Sequence, residues 1–73
     1  MASKTYVRRF GKDKQHEQGV TVTRLPGMVT EHPFDDIRGG DYGRKHPARN
    51  VRRTARAIER GLLAAGYVLR EKP

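Results

Sequence analysis

Residues 47–65 carry two stripes of opposite chemistry, and they constrain the fold more than any other part of the chain. Apolar residues recur there at spacings of three and four: Val51, Ala55, Ile58, Leu62 and Ala65. Arginines recur out of phase with them: Arg49, Arg52, Arg53, Arg56 and Arg60. At about 100° per residue, the apolar set spans roughly 80° of a helix and the arginine set roughly 100°, with centres about 160° apart. We predict a main helix over residues 47–65 that buries one side and exposes arginines on the other.

The ends and one flank of this segment add detail to the prediction. Pro47 suits the first helical turn, where a missing N–H costs nothing, and Gly66 suits the left-handed position that closes a helix. A third flank is small throughout, with Ala57, Gly61 and Ala64. Gly61 costs a helix interior about 1 kcal/mol relative to alanine. We therefore expect a close backbone approach at this flank, either to the domain's own sheet or to a second copy of the helix.

Strand patterns flank the helical segment on both sides. Residues 4–10 alternate, and residues 20–25 are rich in β-branched side chains. Residues 28–30 follow the turn signal Pro26-Gly27 and suit a short third strand, and residues 67–70 suit a strand after the helix. Residues 31–46 show no periodicity and are expected to form a long irregular loop.

These elements predict a single small α+β domain over residues 1–73, in the order β-β-(β)-loop-α-β. The sheet is expected to be antiparallel, with two to four strands and the amphipathic helix packed on one face. The expected core is Val7, Val20, Val22, Val51, Ala55, Ile58, Leu62, Ala65, and either Tyr67 with Leu69 or Val68. The alternation in residues 4–10 leaves a second register open, in which Tyr6, Arg8 and Phe10 face inward and Val7 lies outside. If those three side chains instead face solvent, they would form a platform for stacking bases.

The composition limits the classes of partner and chemistry. The chain of 73 residues has 16 Lys and Arg against 8 Asp and Glu, a formal net charge of +8. Such a basic domain usually meets nucleic acid, an anionic membrane or an acidic protein. The chain has no cysteine, so it can form neither a disulfide nor a thiolate metal site. The absence of cysteine is compatible with a reducing cytoplasm. No apolar run approaches the roughly 20 residues of a membrane span, and the first residues lack a signal-peptide pattern. We expect a cytoplasmic protein.

The arginine stripe is the best sequence clue to function. Between residues 44 and 60 only Glu59 opposes the basic side chains, which are Arg44, Lys45, Arg49, Arg52, Arg53, Arg56 and Arg60. Like-charge pairs one turn apart cost a few tenths of a kcal/mol each, and a guanidinium pairs bidentately with phosphate. We therefore expect these seven residues to bind the phosphate backbone of DNA or RNA. The alternative is a stripe that is merely solvated, or paired within the chain to the acidic residues Glu31, Asp35, Asp36 and Asp41.

Other functions are less well supported by the residues. A protein-binding inhibitor or adaptor, docking on an acidic or nucleic-acid-handling protein as a monomer or a homodimer, would use the small flank and Leu63. Membrane-surface binding is disfavoured because the helix has no Trp or Phe anchor. No nucleophile arrangement supports an enzyme, since Ser3 is the only serine. His16, His32 and His46 lack zinc-ligand spacing, so no metal or cofactor is expected.

Overall fold

A six-stranded antiparallel sheet carries one helix on one face, in a computed structural model that describes residues 2–40 and 42–70. A short 3-10 turn at Lys12–Lys14 joins the first two strands. The strands are β1 (Ala2–Phe10), β2 (His16–Leu25), β3 (Met28–Asp35), β4 (Gly39–Gly40), β5 (Arg44–Pro47) and β6 (Val68–Leu69), and the helix is α1 (Val51–Ala64). The strand order is β4-β3-β2-β1-β6, and β5 also pairs with β3.

The prediction of a smaller sheet with a long loop is wrong, because residues 31–46 contain most of the additional strand structure. β3 continues through to Asp35, and its outer edge pairs with both β5 and β4. β5 covers the first half of β3, and β4 covers its last two residues. Pro33, which has no N–H to donate, lies between the two paired stretches, where the outer edge of β3 needs no donor.

The observed helix is shorter than the predicted one at its N-terminal end. Pro47 ends β5, and Asn50 caps α1 by accepting a hydrogen bond from the backbone N–H of Arg53 at 3.0 Å. At the other end Gly66 has a φ of 94°, as predicted for a left-handed closing residue. The N–H groups of Gly66 and Tyr67 donate to the carbonyls of Leu63 and Leu62, which closes the helix in a Schellman motif.

The core lies between α1 and the central strands. Its buried members are Tyr6, Val20, Val22, Val29 and Ala55, and the partly buried side chains packed on them are Val51, Ile58, Leu62 and Tyr67. Tyr6 and Val29 were missing from the predicted core. Val7 lies on the opposite face of the sheet, because β1 adopts the register that turns Tyr6 inward. Ala65, Val68 and Leu69 are exposed, since the chain leaves the helix at the edge of the sheet.

Candidate functional site

The outward half of α1 forms a continuous exposed surface dominated by arginine. Eight of its residues are exposed, and they cover about half of the helix circumference. A shallow depression on this surface is lined by Asn50, Arg52, Arg53, Arg56, Ala57 and Arg60. Four exposed arginines of α1 and the exposed Arg49 just before the helix form what we call the arginine ridge: Arg49, Arg52, Arg53, Arg56 and Arg60.

Glu59 is the one acidic residue of α1, and it turns away from the ridge into the interface with the sheet. Tyr6 Oη donates a hydrogen bond to Glu59 Oε1 at 2.6 Å, and Arg24 Nη2 lies 3.2 Å from Glu59 Oε2. Lys4 Nζ lies 3.7 Å from the same carboxylate. This cluster ties α1 to β1 and β2, so the carboxylate does not neutralise the neighbouring arginines.

The contacts around Glu59 shift the pKa values of both Tyr6 and Glu59. Burial, the hydrogen bond to Glu59 and the negative charge of that carboxylate raise the pKa of Tyr6 to about 12. Burial alone would raise the pKa of the Glu59 carboxyl. The hydrogen bonds from Tyr6 and Arg24 and the charges of the nearby cations outweigh burial, so this pKa lies below its ordinary value. Glu59 is therefore held as a charged acceptor inside the domain.

The acidic residues of the segment before the helix also have other partners. Glu31 Oε2 lies 2.5 Å from His46 Nε2, Asp35 Oδ2 lies 3.1 Å from Arg38 Nη2, and Asp36 Oδ1 lies 3.4 Å from His16 Nδ1. Asp35 also accepts the backbone N–H of Arg38, which is the main reason why its pKa lies below the ordinary value. Asp41, the remaining candidate for internal pairing, lies outside the described residues.

Within residues 2–40 and 42–70, no ridge arginine makes a side-chain hydrogen bond or an ion pair. The other basic residues of the sheet behave differently. Arg9 and Arg70 pair with Glu17, and Arg24 pairs with Glu59. The described carboxylates that form ion pairs thus have partners outside the ridge, and the positive charge of the ridge is uncompensated.

The first turn of α1 carries charge that is unfavourable for an isolated helix, and the last turn does not compensate for it. Its first turn contains Arg52 and Arg53 with no acidic residue, and its last turn has no basic residue. Because the N-terminus of a helix is the positive end of its dipole, a cation there is unfavourable by about 0.3–1 kcal/mol. The repulsion between arginines one turn apart adds to this cost. An external anion would relieve both effects.

Arg44 and Lys45 do not form one surface with the ridge. They follow each other on β5, so their side chains point to opposite faces of the sheet. Arg44 is in register with Glu31 on the α1 side, whereas Lys45 is in register with Thr30 on the far side. The structure therefore groups the five predicted arginines from Arg49 to Arg60, leaves Arg44 at the sheet edge, and places Lys45 away from them.

The aromatic residues of β1 do not form an outward stacking platform. Tyr6 is buried against Glu59, and Arg8 Nη1 donates to the carbonyl of Ala65 at 2.8 Å. The Arg8 guanidinium also lies 4.5 Å from the centre of the Tyr67 ring. Their shared face is directed toward α1, so the sheet-platform alternative for binding bases is wrong.

The small flank of α1 has no close neighbour within the domain. Ala57, Gly61 and Ala64 are exposed, and a Cβ at Gly61 would meet nothing within 4 Å. The expected close approach to the domain's own sheet is therefore wrong. Leu63, which lies on the same side of the helix as Arg52 and Arg56, is 52% exposed.

Asn50 is a residue of this surface that the sequence prediction missed. It lines the same depression as the ridge arginines and caps the helix from which they project. An Asn immediately before the first apolar residue of a helical pattern, Val51, is a helix-start signal. Pro47 is another such signal three residues earlier, and it drew the predicted helix start away from Asn50.

The chain matches no protein family model, and no curated protein or solved structure is significantly similar to it. Over the described ranges, no helix is long and apolar enough to cross a membrane. In the same ranges, no group of three or more His, Asp or Glu side chains converges as a metal site requires. The geometry and charge of the ridge are therefore the basis for inferring a function.

Proposed function

We propose that this protein binds nucleic acid non-enzymatically, through contacts between the arginine ridge of α1 and phosphate groups. The observation that carries the proposal is the set of five exposed arginines without a carboxylate partner among the described residues. In the same domain, the buried carboxylate of Glu59 is directed to the sheet, where it pairs with Lys4 and Arg24. The uncompensated charge is thus concentrated on one face of one rigid element.

The chemistry of the ridge suits a polymer of phosphates. Each guanidinium keeps its charge at all physiological pH values and offers a planar fork that pairs with two phosphate oxygens. Arg53, Arg56 and Arg60 follow each other at about one helical turn, or roughly 5 Å, and Arg49 precedes them, so these side chains can follow a nucleic-acid backbone or a groove. Binding should be sensitive to salt, because each neutralised phosphate releases counterions.

Two double variants with equal net charge test this proposal. Arg53→Glu/Arg56→Glu reverses the centre of the ridge, and Lys12→Glu/Lys14→Glu reverses two exposed lysines of the β1–β2 turn. Each pair changes the formal net charge from +8 to +4. With a fluorescent 16-base-pair DNA of mixed sequence at low salt, we expect the ridge variant to lose at least about tenfold in affinity and the turn variant less than about twofold.

Folding is monitored by circular dichroism in the same samples. Glu at position 53 places a negative charge near the positive end of the helix dipole, so the ridge variant should fold normally. Equal losses in the two variants would show that net charge alone causes binding, and a parent protein that binds no DNA or RNA would refute the proposal.

A second candidate is docking on an acidic protein, which the exposed apolar residues near the ridge favour. Leu63 is 52% exposed and Leu69 is 46% exposed, and both lie on the α1 side of the sheet. Retention of one stoichiometric partner protein after nuclease treatment would support this candidate. Loss of every partner on nuclease treatment would contradict it.

A further inference from the structure

We infer that the arginine ridge is shaped for the major groove of a B-form DNA duplex, with Arg53 and Arg60 directed toward base edges and Arg52 and Arg56 toward the phosphates of one strand. This inference rests on the proposed nucleic-acid binding and goes further by naming the form of nucleic acid and dividing the arginines into two roles.

The division follows from the positions of the arginines around the helix axis. With Val51 at 0° and about 100° per residue, the exposed surface runs from about 100° at Arg52 to about 280° at Gly61. Arg60 and Arg53 lie at about 180° and 200°, which is the crest of that surface and faces away from the sheet. Arg52 and Arg56 lie at about 100° and 140°, on one slope. The crest would enter a groove first, and the slope would face its wall.

The dimensions of the exposed half-helix match one groove type. A helix with its side chains is about 10–12 Å across, and the B-DNA major groove is about 12 Å wide and 8.5 Å deep. The major groove of an RNA duplex is deep and narrow and does not admit side chains in this way. On the opposite slope, Ala57 and Gly61 are exposed and leave space for the other groove wall.

A single strand is a poorer fit, because its binding depends on aromatic side chains that stack on unpaired bases. α1 contains no aromatic residue. Of the sheet aromatics, Tyr6 is buried, the Tyr67 ring lies under Arg8, and the Phe34 ring lies 5.7 Å from the Arg70 guanidinium. The centre of the Phe10 ring lies 5.5 Å from that of His16, so these four rings are engaged within the domain.

Three probes of one mixed sequence test the choice of nucleic acid: a 16-base-pair DNA duplex, one of its strands, and the RNA duplex. We expect the DNA duplex to bind at least about tenfold more tightly than the other two at the same salt concentration. Equal binding of all three, abolished by Arg53→Glu/Arg56→Glu, would overturn the groove inference and leave the proposed function standing. Absence of binding to any probe would overturn both.

Guanine N7 methylation, which blocks the major groove, tests the two roles. We expect it to weaken binding of the parent protein and of Arg52→Gln by at least about fivefold, while Arg53→Gln/Arg60→Gln, which lacks both base-directed arginines, binds more weakly but no longer responds to it. Arg52→Gln should instead reduce the slope of log affinity against log salt by about 1. An Arg53→Gln/Arg60→Gln variant that keeps the methylation effect, or a parent protein displaced by a minor-groove ligand but indifferent to N7 methylation, would overturn the inference.

Discussion

Individual residues decide which face of this small sheet becomes the core. In β1 one alternating set is Thr5, Val7 and Arg9, and the other is Tyr6, Arg8 and Phe10. Both sets mix apolar and polar side chains, so hydrophobic periodicity leaves two registers open. The choice depends on Glu59, which is 53 residues away in sequence from Tyr6 and accepts the hydrogen bond of its phenol. A buried Tyr needs such a partner. The sequence alone does not reveal that partner, because Glu59 sits among arginines in the chain.

The buried Tyr6 phenol should make the free energy of unfolding decrease at alkaline pH. The pKa of Tyr6 is about 12 in the fold and 10.0 in its absence. The contribution of Tyr6 is therefore complete below pH 10 and is lost as pH rises through about 12, because the unfolded chain releases this proton first. We expect the free energy of unfolding, measured in urea, to fall less steeply above pH 10 in Tyr6→Phe than in the parent.

Phenolate absorbance gives the direct readout of the same group. The phenolate absorbance of the parent minus that of Tyr6→Phe reports the ionisation of Tyr6. At pH 11 this difference should be small while circular dichroism reports a folded chain. In concentrated guanidinium the same difference should titrate near pH 10. A Tyr6 phenol that titrates near pH 10 in the folded protein would contradict the buried contact with Glu59.

Secondary-structure elements were predictable where one side is apolar and unpredictable where both sides are polar. The apolar stripe of α1 and the β-branched run of β2 each have such a side. β5 consists of Arg44-Lys45-His46-Pro47 and β4 of two glycines, so neither shows strand alternation. These edge strands form because β3 offers an unpaired backbone edge. The Glu31–His46 contact also joins β3 to β5. The exposed arginines of α1 were predicted from the same periodicity that gave the helix.

The exposed flank of α1 allows a stabilising substitution. A Cβ at Gly61 meets no atom within 4 Å. Gly61→Ala should therefore raise the free energy of unfolding by about 1 kcal/mol, because alanine is the better helix former. The measurement is urea unfolding, with Gly66→Ala as the matched control.

Gly66 differs from Gly61 in its backbone, since its φ of 94° disfavours any side chain. We expect Gly66→Ala to lower the free energy of unfolding by about 1 kcal/mol or more. Destabilisation by Gly61→Ala would contradict the open environment of the flank.

Across the whole molecule, the charged side chains that form ion pairs lie apart from the unpaired arginines of the ridge. Several ion pairs of the described chain join neighbouring strands or join α1 to the sheet, as Glu17 does with Arg9 and Glu59 does with Arg24. The arginine ridge lies on the outside of α1, where no described carboxylate reaches it. In a domain with a net charge of +8, this arrangement gives one face of the molecule a strong positive field.

Lys12 and Lys14 carry exposed charge in the β1–β2 turn, at the opposite end of the sheet from the N-terminus of α1. Charge alone would attract nucleic acid to both places. We assign binding to the ridge, because it places four arginines on one helical face and Arg49 just before that helix. The two lysines lie in a turn that offers no such surface.

An amide chemical-shift titration of the folded protein with the 16-base-pair DNA duplex would locate the nucleic-acid-binding surface. We predict shift changes concentrated in residues 49–64, reversible by salt, with the β1–β2 turn and the face of the sheet opposite α1 unchanged. Changes concentrated on that opposite face or in the turn, or no changes at low salt, would contradict the assignment of the arginine ridge as the nucleic-acid-binding surface.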